Sequence, residues 1–522
     1  MAVTGPRASA PREAHLAHRH RKAGEGRLQG AAYTMTTSQP IAVSNRRAGV
    51  LAVLVGGACL FLAALDFSIN VSLPTFRESL SETLVSVQWI IILYHGARSG
   101  MGFVAGGIAD RFGLKRLLLF GILAYTLSVA AISLQSSLLP IAALRIPQGI
   151  GVAILFTLGP ALVARAFGPS RRGAALGVTI GAMGAGQLTG TLGGGLLTQN
   201  IGWEAIFWAR VPIGLAILLL GALVLRGTHV EPSADAAKTR FDWPGGGVLF
   251  VLLFTMVLAL SFARLDGWLA TRPALLYIAT AALLLAFLWR EKRTIAPVFP
   301  VALLKVREFR AGAASNILNT GATFVIWFLF PFYVSDVMGR GPVALGALLA
   351  TMAAATFAGS SASGWVADKF GDRRTTFSGA MLSAAGLVVV GQLGASPPVV
   401  AVAGSVALVG FGFGVHQAAV YALTMRGTPA RHAGAASATL AVTQTLGTVS
   451  SIALMTSLLT WRQAVATDGG RSDTFLVAYA EVYMAAACLS LLSGFAVVLI
   501  KAGRKDTVPG YPAQPVKPSI RT

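Results

Sequence analysis

Residues 106–116 read GGIADRFGLKR, and residues 364–374 read GWVADKFGDRR. The two segments match in residue type or charge at most positions, and they lie 258 residues apart. Each is short, charged and contains two or three glycines, and each joins two long apolar runs. A repeat with this period indicates that the chain is built from two similar halves.

Apolar runs of about 20 residues recur on both sides of these segments. Fourteen such runs are predicted to be transmembrane helices, because each can cross a bilayer and none alternates as a barrel strand would. Their ranges are 49–73, 86–108, 116–136, 138–164, 173–197, 206–225, 243–263, 273–289, 311–334, 343–366, 375–395, 397–425, 434–460 and 474–500. With 55% apolar and 12% charged residues and a mean hydropathy of +0.69, the chain is predicted to be an all-α polytopic membrane protein.

The net charge of +22 is explained by where the lysines and arginines lie. If the N-terminus is inside, 33 of the 42 fall on the inner side, three within spans and six in outer loops. This excess predicts that both termini are cytoplasmic. Contact with anionic lipid accounts for the charge, so nucleic acid is not an expected partner. Cys59 and Cys488 lie in apolar runs and indicate neither a disulfide framework nor a metal site.

Six spans with their loops need only about 190 residues, so the 258-residue period leaves room for an insertion. The predicted units are a disordered basic cytoplasmic tail at 1–47, an N-terminal six-helix half at 48–226, an inserted helix pair with its linker at 227–308, a C-terminal six-helix half at 309–501 and a cytoplasmic tail at 502–522. The first apolar run is too long for a signal peptide, and Met35 is an alternative start.

The repeated segments are predicted to form a gate on the cytoplasmic side. Asp110 and Asp368 lie near the ends of their helices, where a carboxylate opposes the negative end of the helix dipole and needs a cation or a helix N-terminus as partner. Such a latch would hold the halves together and release when they rock. The gate residues are Gly106, Asp110, Arg111, Gly113, Arg116, Gly364, Asp368, Gly371 and Arg374. The alternative is a solvated loop that only sets the topology.

These segments resemble the signature Gly-x-Leu-Ala-Asp-Arg-x-Gly-Arg-Arg of the major facilitator superfamily, and residues 48–500 look like its fourteen-helix drug:proton antiporters. Further matching motifs are LDFSINVSLP at 65–74, QW at 88–89 and RIPQGIG at 145–151. The resemblance implies a major facilitator fold and proton-coupled export of drugs, antibiotics or natural products across a bacterial cytoplasmic membrane. It also implies a monomer that uses the proton gradient and no cofactor.

Asp66 in the first span and Arg145 in the fourth lie at the same depth, each seven residues from the outer end of its span. Charges at helix centres cost about 2.5–3.5 kcal/mol each on insertion scales, which favours a facing pair beside a central cavity. We expect Asp66 to carry the coupling proton, controlled by burial and by the approach of Arg145. Glu481 in the last span is the second candidate. The alternatives are a permanent ion pair that only fixes packing and, for Glu481, an outer-leaflet carboxylate.

Other polar residues within the spans are predicted to line the substrate cavity. They are Asn70, Tyr94, Arg98, Gln148, His416 and Gln444. With three arginines at depth against one or two carboxylates, the cavity is expected to favour neutral or anionic amphiphiles over lipophilic cations. The alternatives are that Arg98 pairs with a backbone carbonyl or reaches an aqueous cleft, and that His416 is a packed core residue.

Gly186, Gly190 and Gly194 recur every four residues in the fifth span, a spacing that lets another helix approach closely. They resemble the superfamily's antiporter motif, except that Thr191 stands where the motif has proline. Arg210 is a further departure, because the subfamily usually has asparagine there.

An uptake symporter for an organic anion, driven by protons or sodium, is the main alternative function, because a fold does not determine the direction of transport. A polytopic membrane enzyme is a remote alternative. No GxSxG, HExxH, CxxC or phosphate-binding motif occurs, so no catalytic residue, metal site or cofactor is predicted.

Overall fold

The computed structural model describes residues 1–2, 46–167, 169–225, 242–294, 303, 305–426, 428, 433–468 and 474–499. Every regular element among them is helical, and fourteen long helical segments follow one another in the chain. They are α1 (Arg46–Ala64 and Ser68–Ser79, joined by the 3₁₀ turn Leu65–Phe67), α2 (Trp89–Phe112), α3 (Leu114–Ile132), α4 (Leu138–Ala166), α5 (Pro169–Asn200), α6 (Arg210–Val224), α7 (Trp243–Asp266), α8 (Thr271–Glu291), α9 (Arg307–Phe328), α10 (Pro342–Phe370), α11 (Asp372–Gly391), α12 (Val399–Arg426), α13 (Ala433–Asp468) and α14 (Thr474–Val498). Short helical segments, Leu84–Val87, Ala205–Trp208 and Phe330–Phe332, lie between them.

Twelve of the described helices are long and apolar enough to cross a membrane. The other two, α2 and α5, have 24 and 32 residues and lie where the second and fifth spans are predicted. The all-α membrane fold is therefore confirmed, whereas the count of fourteen spans stays a prediction. The predicted tails fall almost wholly outside the described residues, as does Met35.

The two repeated segments end α2 and α10 in the same way. Gly113 and Gly371 cap these helices with φ of +92° and +84°, a conformation that side-chain-bearing residues rarely adopt. The repeat also extends into the packing of the next two helices. A Cβ at Gly151 of α4 would lie 2.8 Å from the Gly121 carbonyl oxygen, and a Cβ at Gly412 of α12 would lie 2.8 Å from an equivalent carbonyl oxygen, that of Gly379. The halves therefore share helix contacts as well as a sequence motif.

α5 packs backbone to backbone against two other helices. A Cβ on Gly186, Gly190 or Gly194 would lie 2.4–2.8 Å from an atom of α1. On another face of α5, a Cβ on Gly195 would lie 2.6 Å from the Pro342 carbonyl oxygen of α10. Real Cβ atoms do not approach so closely, so glycine is required for this packing. α5 thereby connects α1 of the first half to α10 of the second.

The predicted inserted pair, α7 and α8, is joined at one end by an ion pair. Asp242 caps α7 by accepting a hydrogen bond from the Gly245 N–H at 3.0 Å, and it accepts hydrogen bonds from Arg290 of α8 at 2.5 and 2.9 Å. Burial acts to raise the pKa of Asp242, but the hydrogen bonds from Arg290 and Gly245 lower it below the ordinary value of 3.8. The ion pair with Arg290 therefore favours the ionised form of Asp242.

One helix of the inserted pair touches both halves. A Cβ at Gly100 of α2 would lie 2.4 Å from the Phe250 ring. The Phe250 side chain of α7 therefore fills the space that the missing side chain of Gly100 leaves. Leu249 and Leu253 of α7 also share an apolar cluster with Val442 of α13. α7 thus lies against one helix from each half.

Candidate functional site

The α-helical course of α1 is interrupted at Asp66. The 3₁₀ turn Leu65–Phe67 separates two α-helical stretches, and such turns within a long helix often mark functional hinges. Gly190 of α5 packs against the Leu65 carbonyl at this turn. The Asp66 side chain is only 7% exposed, so the turn places a carboxylate inside the protein.

Three described residues donate hydrogen bonds to the same oxygen of Asp66. Arg210 of α6 donates to Oδ1 at 2.6 Å, Gln148 of α4 at 2.9 Å and Tyr125 of α3 at 3.1 Å. Oδ2 is buried, and no described residue donates a hydrogen bond to it. The described residues therefore hold the carboxylate through Oδ1, and Oδ2 is the oxygen that remains for a proton.

The prediction that Asp66 pairs directly with Arg145 is wrong, because a different arginine contacts Asp66. Arg145, 2% exposed, donates to the Ile90 carbonyl at 2.9 Å and to Gln148 at 2.7 Å, and it lies 4.0 Å from the centre of the Tyr94 ring. It reaches Asp66 only through Gln148. Equal depth identified two buried charges, but the rotation and packing of the helices bring a different cation to the carboxylate.

Arg210 forms the ion pair with Asp66. Its side chain is 3% exposed, it also binds the Ser68 hydroxyl, and its guanidinium lies 5.3 Å from the centre of the Phe207 ring. In the sequence, Arg210 could be noticed because it is a charged residue at a position where the resembled subfamily usually has asparagine.

A cavity that opens to solvent lies beside Asp66, with about 470 Å³ of empty space when the open solvent at its mouth is included. Its lining residues are Ala63, Asp66, Phe67, Ile69, Asn70, Ile91, Tyr94, His95, Arg98, Arg145, Phe156 and Phe324. Three of the predicted cavity residues, Asn70, Tyr94 and Arg98, are among them, and Gln148 is hydrogen-bonded to the network behind them. The aromatic lining and His95 were missed, although His95 adjoins Tyr94 and precedes Arg98 by about one helical turn.

Two of the other predicted cavity residues lie in the second half, away from this lining. His416 of α12 is fully buried, and its Nε2 is hydrogen-bonded to the hydroxyls of Ser315 at 2.9 Å and Ser493 at 3.1 Å. This placement matches the packed alternative for His416. Gln444 of α13 is half-buried and does not line the described cavity.

Glu481 of α14 is bound to Arg462 of α13 rather than placed on the cavity. Two guanidinium nitrogens of Arg462 contact the two carboxylate oxygens, and both side chains are about one-third exposed. An exposed, paired carboxylate has a ready counter-charge, which makes Glu481 a weaker candidate for proton coupling than Asp66.

The predicted cytoplasmic gate does not form a latch through the side chains that the structure describes. Asp368, Arg116 and Arg374 are exposed. A Cβ at Gly106 or Gly364 would meet no described atom within 4 Å, so these glycines serve no close approach to the part of the chain that the structure describes. The Asp110 side chain lies outside the described parts of the chain. The Arg111 guanidinium lies 5.8 Å from the centre of the Trp243 ring, at the start of the inserted pair.

The two halves are joined by polar contacts at the opposite end of the helices. Arg77, at the end of α1, forms two hydrogen bonds to Asp336, at 2.7 and 2.9 Å. Gln88, just before α2, donates to Thr456 of α13 at 3.0 Å. By the distribution of cations this is the predicted outer end. Sequence reasoning missed the pairing because Arg77 and Asp336 are 259 residues apart.

Comparison with known proteins places these observations in a family. Residues 56–452 match the model of the Major Facilitator Superfamily. The chain is 31% identical to the Tetracenomycin C resistance and export protein of Streptomyces glaucescens over 65% of its own length and 62% of the relative's, so it spans less than two thirds of that protein. It is 25% identical to the Multidrug resistance protein Stp of Mycobacterium tuberculosis over 79% of its own length and 76% of the relative's.

A solved structure shares the fold. The crystal structure of the POT family transporter PepTSo superposes with a TM-score of 0.65 and 16% identity, covering 87% of this chain and 99% of that one. The family match extends over well more than half of the sequence, and it includes the helices that hold Asp66 and its cavity. The chain therefore belongs to the Major Facilitator Superfamily.

Proposed function

We propose that this chain is a proton-coupled secondary transporter that exports small amphiphilic compounds from a bacterial cytoplasm by alternating access. Export is supported by the relatives, which are named for tetracenomycin C resistance and export and for multidrug resistance. In this proposal the chain crosses the cytoplasmic membrane with both termini inside and works as a monomer. It draws on the proton gradient, uses no cofactor and catalyses no reaction.

The observation that carries the proposal is the state of Asp66. Its buried carboxylate borders a partly aromatic cavity, and Oδ2 has no hydrogen-bond partner among the described residues. Protonation of Oδ2 leaves the hydrogen bonds to Oδ1 possible while it removes the negative charge. A buried ionisable group within a membrane-spanning helix is characteristic of proton relays in transporters.

Protonation of Asp66 would act on the contact between the halves. Without the carboxylate charge, the buried guanidinium of Arg210 loses its counter-ion, and an uncompensated buried charge is costly. The affected turn, Leu65–Phe67, packs against Gly190 of α5, and α5 in turn packs against α10 of the other half. A change in the charge of Asp66 would therefore affect the helix contacts that must move when the two halves rock.

The proposal is tested by transport into proteoliposomes. A growth assay of an efflux-deficient host across a panel of toxic compounds first identifies a substrate. Asp66→Asn should abolish transport driven by a pH gradient and retain exchange of labelled substrate without a gradient. Glu481→Gln is the matched control, because it removes an intramembrane carboxylate off the cavity, and it should transport normally. A normal response of Asp66→Asn to the pH gradient would exclude Asp66 as the coupling site.

Uptake of an organic anion is the second candidate, and the cavity's charge favours it. Asp66 and three arginines lie on or directly behind the cavity. An anion would bind more tightly when Asp66 is protonated, because protonation removes the negative charge nearby. Anion and proton would then move in the same direction, which is symport.

The sign of proton movement separates the two candidates. A pH-sensitive dye is trapped inside vesicles, and substrate is added outside without a gradient. Antiport should make the interior more alkaline as substrate enters, whereas symport should acidify it. A response that requires a sodium gradient and leaves the dye unchanged would assign sodium as the coupling ion and overturn proton coupling.

A further inference from the structure

The three arginines around the cavity differ in how far the protein already uses their N–H groups. Arg210 donates to Asp66 and Ser68, and Arg145 donates to Gln148 and a backbone carbonyl. Arg98 lines the cavity with its guanidinium 4.4 Å from the centre of the Phe156 ring. Among the residues that the structure describes, none accepts a hydrogen bond from it.

A guanidinium in this position is suited to one kind of partner. It carries five N–H donors in a planar fork, and stacking on an aromatic ring leaves the donors at its edge free. A carboxylate or a similar planar oxyanion accepts two of them in parallel. The stacked ring also restricts the guanidinium's orientation, so little conformational freedom remains to be lost on binding.

We propose that Arg98 is the anion-binding residue of the cavity, so that the transported compound carries a carboxylate or a similar oxyanion on an apolar, preferably aromatic, body. This inference rests on the cavity being the transport site, as proposed above, and it holds for export and for uptake alike. The resembled antiporters commonly carry lipophilic cations, so the substrate class differs from the one that family resemblance alone implies.

The rest of the lining fits the body of such a molecule. Phe67, Phe156 and Phe324 supply aromatic faces on three helices, α1, α4 and α9. Phe324 is the lining residue from the second half, so a bound aromatic body would touch both halves.

The charge around the cavity disfavours cations. The negative charge of Asp66 is already matched by Arg210 at 2.6 Å, and Arg145 is a second buried cation nearby. Arg98 therefore adds a positive charge for which the described residues provide no carboxylate partner. A cationic ligand would meet a net repulsion, and an anionic ligand would be attracted.

The test compares three ligands that share one aromatic body. Binding of 1-naphthylacetate, 2-(1-naphthyl)ethanol and 2-(1-naphthyl)ethylammonium to the purified full chain in lipid nanodiscs is measured at neutral pH by calorimetry. The anion should bind most tightly and the cation most weakly. Arg98→Gln should weaken binding of the anion by about tenfold or more, because charged hydrogen bonds are lost, and it should change binding of the alcohol by less than about threefold.

Two further variants make the result specific to Arg98. Arg98→Lys keeps the charge without the planar fork, so its affinity for the anion should lie between those of the wild type and Arg98→Gln. Arg293→Gln removes an exposed arginine beyond the end of α8, which is stacked on Trp289, and it should leave all three affinities unchanged. Thermal unfolding identifies any variant that does not fold, in which case Arg98→Lys alone carries the comparison.

Equal affinities for the three ligands in the wild type would overturn the inference, as would an equal loss for all three in Arg98→Gln. Binding is measured without a gradient, so it is independent of coupling. Anion binding that depends on Arg98, without any flux driven by an ion gradient, would support the subsite and overturn the proposed function.

Discussion

At the scale of single residues, the site is a cluster of buried charges in which each arginine has a different task. Arg210 neutralises Asp66, Arg145 donates to Gln148 and packs on Tyr94, and Arg98, which lines the cavity, is proposed to bind the ligand. Depth in the membrane predicted that these charges are neighbours, but it could not predict which arginine contacts Asp66.

The pairing of Asp66 with Arg210 can be measured through stability. Arg210→Leu leaves a buried carboxylate without its counter-ion and should destabilise the protein by about 3–5 kcal/mol. The double variant with Asp66→Asn removes both charges and should recover most of that loss. Thermal unfolding in detergent measures both effects. Strictly additive losses in the double variant would contradict a direct pair.

At the scale of helices, the packing of α5 depends on its glycines. Its glycines permit close contact with α1 and α10 on two faces. Thr191, which stands where the antiporter motif has proline, donates a side-chain hydrogen bond to the Gln187 carbonyl. That carbonyl is the one that a proline at 191 would leave unpaired, and such back-bonding threonines often bend helices.

Substitution of adjacent glycines in α5 tests the close packing. A Cβ at Gly190 would lie 2.8 Å from the Leu65 carbonyl oxygen, so Gly190→Ala should cost about 1–3 kcal/mol and slow transport. Gly193→Ala is the matched control, because a Cβ there meets no described atom within 4 Å, and it should be tolerated. Equal melting temperatures for the two variants would show that the α1 contact adjusts freely.

Corresponding helices of the two halves hold different polar side chains. Asp66 binds residues of α3, α4 and α6. The corresponding helices of the second half are α9, α11, α12 and α14, and they hold a neutral cluster in which Ser315 and Ser493 bind His416 and Ser490 binds the Ala380 carbonyl. The corresponding helices of the two halves therefore both hold polar clusters, but the described cluster of the first half is charged and that of the second half is not.

At the scale of the whole molecule, the described polar contacts join the halves at the predicted outer end. Arg77 and Asp336 form a bidentate ion pair, with side chains 25% and 32% exposed. A pair of this exposure contributes only about 0.2–1 kcal/mol, so it biases the conformational equilibrium without locking it. A weak contact suits a step that must open and close in each cycle.

Disruption of this ion pair should shift the conformational equilibrium by a small, measurable amount. Arg77→Gln should raise the population of the outward-open state by roughly twofold to fivefold, the equivalent of the energy of one partly exposed pair. Distances between spin labels at the outer ends of α1 and α10 measure the two populations. The charge-swapped variant with Arg77→Asp and Asp336→Arg should restore the wild-type distribution. If Arg77→Gln leaves the population of the outward-open state unchanged, the Arg77–Asp336 pair has no role in gating.

The sequence by itself determined the helices, the pseudo-symmetric repeat, the intramembrane charges and the family resemblance. These follow from local properties, because a membrane helix satisfies its backbone hydrogen bonds within its own span and its hydropathy is read from consecutive residues. Only the tertiary structure decided that Asp66 pairs with Arg210, 144 residues away, that Glu481 lies off the cavity and that the described polar contacts between the halves lie at the predicted outer end. These pairings depend on how each helix is rotated and packed, and that orientation arises only when all the helices meet.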